Sequence, residues 1–138
     1  MRVDILTLFP GMFVGPLSES ILQRAREEFL LDVCFHDLRD YGTGKYRQVD
    51  DRPYGGGAGM LIMCKPVVEA IETITQTVIH DDPECTPLTC KPHRIFLSPR
   101  GKRLTQTRVE TMAKKHHWLI LLCGHYEGID QRIIDGGW

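Results

Sequence analysis

Residues 118–128 read WLILLCGHYEG. Six apolar residues run without a break and stop at Gly124, the pattern of a short buried strand in the middle of a sheet. The neighbouring segments agree with a central strand. Upstream, Thr107 and Glu110 have capping-box spacing before Val109, Met112 and Ala113, which predicts a helix over 107–117. Before that, RIFLS (94–98) reads as a strand ending at Pro99, and downstream EGIDQRII (127–134) reads as a short helix.

The amino-terminal part repeats this alternation. VDILTLF (3–9) is an apolar run closed by Pro10-Gly11 and predicts a buried strand. In 18–29, Ile21, Leu22, Ala25 and Phe29 fall at helical spacing with Ser18 as the expected cap. LDVCFHD (31–37) alternates like a strand, and 38–59 has no period and reads as a long loop. MLIMC (60–64) predicts a third strand. Residues 66–78 predict a helix opening on Pro66, with Val67, Ile71, Ile74 and Val78 on one stripe. HDDPECTPLTCKP (80–92) is a turn-rich excursion. Strands alternating with helices indicate an α/β fold with a mainly parallel sheet, where ligands sit beyond the carboxyl ends of the strands.

Composition sets outer bounds. A chain of 138 residues is ordinarily one domain, here taken as 1–138, and 42% hydrophobic with 25% charged residues is enough apolar content for a core. The net charge of −1 gives no global pull towards nucleic acid or membrane, so RNA binding would need a local basic patch. No apolar run reaches membrane-spanning length, and Asp4 interrupts the one segment that could pass for a signal sequence. The five cysteines are odd in number and lack C-x-x-C, which suits a reducing cytoplasm better than a disulfide scaffold.

Three segments carry candidate chemistry. VDDRPYGGGAGM (49–60) sets Asp50, Asp51, Arg52 and Tyr54 beside Gly55, Gly56, Gly57 and Gly59. These glycines match neither common phosphate-cradle motif, but they let backbone approach a ligand closely; a flexible solvent loop is the plain alternative. LSPRGK (97–102) puts backbone groups at a strand end, where an adenine or ribose edge could be received; an ordinary strand-to-helix turn is the alternative. In CGHYEG (123–128), Tyr126 can stack on a base and Glu127 can accept a proton or face a metal; an ordinary polar turn is the alternative. The run 91–108 holds Lys91, Arg94, Arg100, Lys102, Arg103 and Arg108 and no acid, a local basic field able to grip phosphates; a solvated face is the alternative. Cys85, Cys90 and His93 match no standard zinc spacing, so no metal site is assigned to them. His116 and His117 fall where they would complement a helix dipole. From residues alone the reading ends at an α/β protein with a nucleotide-like ligand cleft, able to bind RNA.

At VDDRPYGGGAGM, LSPRGK, LLCGHYEGIDQRI (121–133) and the opening LTLFPGMF (6–13), the sequence resembles the TrmD family over its whole length. These are bacterial tRNA (guanine-N1)-methyltransferases of the SPOUT class, acting at tRNA position 37. Position 58 is Ala where the family often has Pro, and position 125 is His where some members have Arg. The resemblance implies an α/β domain with a deep trefoil knot and a homodimer binding S-adenosylmethionine and tRNA. By matched motif, Leu97, Ser98 and Pro99 line the adenosine pocket. Gly124 meets the cofactor through its backbone, and Tyr126 walls the site. Glu127 lies near the target guanine, with magnesium as a further expectation. Asp50, Arg52, Tyr54 and Gly59 form a loop at the dimer and substrate side. The family also continues past the motif at IIDGGW into a glycine-rich cofactor loop and a helical domain carrying the catalytic aspartate. The expectation is therefore the first half of a methyltransferase, poorly active alone; the alternative is a fragment binding RNA or a nucleotide without turnover.

Overall fold

A computed structural model describes residues 1–82, 84–86 and 89–138. Four parallel strands form the main sheet: β1 (Arg2–Thr7), β2 (Asp32–Asp37), β5 (His93–Leu97) and β6 (Trp118–Cys123), in the order β2-β1-β6-β5. The run WLILLC is central as expected. It pairs with β1 on one side (Leu6 with Leu122) and with β5 on the other (Leu97 with Cys123).

Along β6, Trp118, Ile120 and Leu122 are buried while Leu119, Leu121 and Cys123 are half-buried. The buried row joins Leu6, Leu8, Leu38 and Ile62, and the stripe Val67, Ala70, Ile71 and Ile74 of α3 (Cys64–Asp81), in one core. Pro66 stands in the first turn of α3, where its missing N–H costs no helical bond. The short α5 (Gln131–Asp135) adds Ile133 to the same core.

Several expectations are corrected. MLIMC does not add a strand to the main sheet. Only β4 (Leu61–Ile62) is extended, and it pairs antiparallel with β3 (Asp50–Asp51) in a separate ribbon, because helix α3 already starts at Cys64. The loop 38–59 contains β3 and a 3₁₀ turn at Leu38–Tyr41 whose Leu38 is fully buried. Between the short α1 (Gly11–Val14) and α2 (Ser20–Glu27), Ser18 does not cap a helix; its Oγ donates to Val14 O at 2.6 Å. Helix α2 ends at Glu27, short of Phe29, and buries nothing: Ile21 is exposed, and Phe29 beyond the helix is 93% exposed. The helix α4 (Gln106–Lys115) is capped by Thr105, which accepts from Arg108 N, so Thr107 lies inside the first turn.

Of 80–92, Pro83, Pro87 and Leu88 lie outside the described residues. Cys85 and Cys90 are joined as a disulfide with Cα atoms 5.4 Å apart, a pairing the spacing alone did not predict. Cys34, Cys64 and Cys123 are free.

At the amino end of the sheet Asp4 is fully buried yet carries a carboxylate. Arg2 donates to it at 2.8 and 3.0 Å, His36 Nε2 at 2.7 Å and Trp118 Nε1 at 2.7 Å. Burial pushes its pKa up, but the hydrogen bonds from His36, Arg2 and Trp118 outweigh that and hold the carboxyl below its ordinary range. One side chain thus ties β1 to β2 and β6.

Candidate functional site

The three motif segments meet at the carboxyl ends of β5 and β6. Leu97, the last residue of β5, lies beside Cys123, and its side chain is 49% exposed. Beyond it the chain turns sharply: Ser98 Oγ accepts from Arg100 N at 3.2 Å and Ser98 O from Gly101 N at 3.2 Å. Pro99 sits at the turn with its ring exposed. Just after β6, a Cβ at Gly124 would come 3.0 Å from Phe96 Cε2 and 4.0 Å from Leu97 O. Glycine there lets the two strand ends close together and leaves main-chain groups at the rim.

The loop after Gly124 then folds against the glycine-rich loop. Glu127 N donates to Met60 O at 3.1 Å, Ile62 N to Gly128 O at 3.0 Å, and Asp130 N to Ile62 O at 2.9 Å. Ile62 and Ile129 form a parallel bridge. Gly59 has φ +89°, and a Cβ on it would collide with Glu127 Cγ, so this glycine is required for both conformation and contact. Met63 N to Val49 O at 2.8 Å anchors the other side of the glycine loop.

Tyr126 holds φ +58°, a left-handed conformation unfavourable for a bulky residue and a mark of a constrained site. His125 lies edge-on to both Tyr126 (4.9 Å) and Phe9 (5.0 Å). Arg39 stands 5.3 Å above Phe9 and donates to Leu8 O. Phe9 and Arg39 were not among the candidates by residue type; Phe9 belongs to the quoted opening motif, whereas no local signal marked Arg39. Asp130 caps α5 and is forked by Arg132, whose hydrogen bonds hold its carboxyl below the usual range. Burial pushes the Cys123 thiol up, away from reactivity.

Leu97, Ser98, Pro99 and Gly124 are therefore brought together, and Gly59 with Glu127. Asp50 pairs with Ile62 in the ribbon beneath them. Arg52 and Tyr54 are not drawn in: they project from the loop with exposed side chains. Cavities of about 560 and 450 Å³ lie elsewhere, and neither is lined by residues 97–99 or 124–127. The site is an open shelf rather than an enclosed pocket. Among the described residues no group of three or more His, Cys, Asp or Glu is placed to hold a metal.

The basic run 91–108 is not one field. Lys91 and Arg94 lie at the amino end of β5, and Arg100, Lys102 and Arg103 beyond its carboxyl end, about 16 Å along the strand. Arg108 is spent on the carbonyls of Lys102 and Arg103, both at 3.1 Å. His116 does more than end a helix: its ring stacks on His93 at 4.1 Å.

A parallel sheet with glycine-containing loops clasped at its carboxyl edge, and apolar and main-chain groups on that rim, is an α/β domain, and its likeness to a solved tRNA methyltransferase makes it one of the SPOUT methyltransferase class. A family model described as tRNA (Guanine-1)-methyltransferase TrmD matches residues 1–137, and the chain belongs to that family. Similar curated relatives include a tRNA (guanine-N(1)-)-methyltransferase of Protochlamydia amoebophila, 48% identical over 135 residues, which are 98% of this chain and 54% of that protein. One from Geobacillus kaustophilus is 47% identical over 133 residues, 96% of this chain and 50% of that protein. The crystal structure of tRNA (m1G37) methyltransferase from Aquifex aeolicus superposes with a TM-score of 0.78 at 30% identity, covering 98% of this chain and 56% of that one. The chain spans about half the length of the curated relatives it matches.

Proposed function

We propose that this domain binds S-adenosylmethionine on the shelf at the ends of β5 and β6, as the cofactor-binding part of a tRNA methyltransferase acting on N1 of guanine 37. The observation that carries the reading is the close approach of Gly124 to Phe96 beside the half-exposed Leu97. It creates an apolar rim flanked by unencumbered main chain, suited to an adenine face and its hydrogen-bonding edge.

The bound cofactor would supply a methyl on a sulfonium, whose leaving group is a neutral thioether, so the protein's task is alignment. Leu97 and Pro99 would hold the adenosine, with main-chain groups at Ser98 and Gly124 fixing its edge. Tyr126, held with its backbone in a constrained conformation, would wall the methyl-bearing side. Glu127 would orient the guanine. Guanine N1 carries a proton at neutral pH, and no described residue of this domain is both unpaired and buried in the manner of a tuned general base. Catalysis by this chain alone is expected to be poor. Arg100, Lys102 and Arg103, beyond the same strand end, would meet tRNA phosphates.

A homodimer is part of the proposal. The exposed Arg52 and Tyr54 on the glycine loop, and the uncovered apolar side chains of Ile21, Phe29 and Leu30, support it. Calorimetric titration with S-adenosylmethionine, with and without a tRNA bearing guanine at position 37, tests the reading. Saturable binding lost in Gly124→Val supports it. No binding by a demonstrably folded chain would remove the shelf as a self-sufficient cofactor site.

A further inference from the structure

Tyr126 sits at the apex of the turn 124–128 in the left-handed conformation, at φ +58°. Glycine takes that conformation freely, whereas a bulky residue keeps it only where surrounding contacts over-determine it. The residues on either side of Tyr126 show what those contacts are. On the carboxyl side, Glu127 N donates to Met60 O at 3.1 Å. On the amino side the hold is aromatic. The His125 ring lies edge-on to Phe9, with centroids 5.0 Å apart, and edge-on to Tyr126 at 4.9 Å.

Phe9 is itself fixed from two directions. Its amide donates at 3.1 Å to the hydroxyl of Thr7, the buried last residue of β1. The Arg39 guanidinium stands 5.3 Å over the Phe9 ring and donates to Leu8 O, the carbonyl just before it. Arg39 is set in turn by Asp37 at the end of β2, whose carboxylate accepts from Arg39 N at 2.9 Å and lies 3.7 Å from Arg39 Nη1. Because β1 lies between β2 and β6, the ends of three adjacent strands carry one unbroken set of contacts from Asp37 to Tyr126. Phe9 is 40% exposed and is not part of the core, so burial alone does not explain why its ring is held.

We infer that Phe9 and Arg39 are positioning residues for Tyr126: they hold His125, and through it the left-handed backbone that sets the Tyr126 ring at the methyl-bearing side of the shelf. The functional meaning rests on the proposed cofactor reading; the hold on Tyr126 does not.

NMR on the 138-residue chain reads that hold without cofactor. The Tyr126 Cα shift reports its backbone region, and amide exchange at Glu127 reports the bond to Met60 O. Phe9→Leu should move the Cα shift from its wild-type value and speed Glu127 exchange about fivefold, the scale of bias that a left-handed bulky residue carries. Exchange at Leu6 and Leu122, in the centre of the sheet, should stay unchanged. Phe9→Tyr, which keeps the ring, should restore both readouts, and Arg39→Gln should act in the same direction as Phe9→Leu. In a Tyr126→Gly background there is no strain to hold, so Phe9→Leu should leave Glu127 exchange unaltered.

Calorimetry then gives S-adenosylmethionine affinity, expected to fall about fivefold in Phe9→Leu. A wild-type chain that binds no cofactor would sink the cofactor reading, and the Tyr126 measurements would still decide the inference. It is overturned by an unchanged Cα shift in Phe9→Leu, by no rescue in Phe9→Tyr, or by faster exchange that reaches Leu6 and Leu122 equally. Cofactor binding indifferent to Phe9→Leu, in a chain that binds, would overturn it as well.

Discussion

Gly59 lies so close to Glu127 that a β-carbon on the glycine would overlap the Glu127 side chain. Two segments 68 positions apart in sequence are thereby locked face to face, with Met60 O receiving Glu127 N. Gly59→Ala meets two penalties at once: a φ of +89° and the collision. The expected loss is about 1–3 kcal/mol in urea unfolding, with weaker S-adenosylmethionine binding. Gly59→Ala combined with Glu127→Gly should recover part of the stability by removing the collision, leaving only the backbone strain. No recovery in the double variant would mean that the contact contributes nothing.

The buried Asp4 should dominate acid sensitivity. Its folded pKa is lowered, so the bound carboxylate contributes stability that is present above the unfolded value of about 4. That contribution disappears as the pH falls through the folded value. Asp4→Asn leaves Arg2 and His36 facing an amide and should cost about 3–5 kcal/mol, as when a buried pair loses one member. In Asp4→Asn, urea midpoints recorded across the acid range should lose this part of their pH dependence.

The local pattern disclosed the strands and α3 because each is decided by a contiguous run. WLILLC, VDILTLF and the Val67–Ile71–Ile74 stripe all lie where their periods put them. What failed depended on distant partners or on competition between neighbours. Asp4 looked like an interruption of an apolar run, and its role appears only when Trp118, 114 residues away, arrives beside it. MLIMC (60–64) looked like a sheet strand, but with α3 starting at Cys64 only Leu61 and Ile62 are extended. The basic run looked continuous because sequence cannot show that β5 carries its two halves to opposite ends. The motifs of the candidate site were legible, whereas the clasp between the glycine loop and Glu127, and the position of Arg39 over Phe9, were not.

Helix α4 gives a sharp test of its corrected start. Thr105 caps it, and Thr107 lies one residue inside, its carbonyl taken by Thr111 Oγ1 at 2.7 Å. Because α4 buries no side chain, its first turn relies strongly on the cap. Thr105→Ala should weaken that turn by about 0.5–2 kcal/mol, and Thr107→Ala should change it by less than about 0.5 kcal/mol. Amide hydrogen exchange over 106–110 reads the difference. Lower protection in Thr107→Ala than in Thr105→Ala would return the cap to Thr107.

The His93–His116 stack should make the amino end of the sheet sensitive to mild acid. Burial, then the nearby His116 and Lys115, lower the His93 pKa. Lys91 and Arg94 flank it in sequence, and no carboxylate faces it from the cavity of about 450 Å³ that it lines. A histidine with a depressed folded pKa favours folding fully above its unfolded value of about 6.5, and that advantage falls away as the pH drops towards the folded value. Lowering the pH from about 7.5 to about 5.5 should therefore destabilise the wild-type protein through this residue. His93→Phe keeps a ring against His116 but removes the titration, so its urea midpoint should fall less over the same interval. Proton NMR should place the His93 imidazole below an ordinary histidine, and His116→Phe should move it upward. If His93 titrates normally, or if the wild type and His93→Phe lose stability in parallel, the stack does not control the pH response.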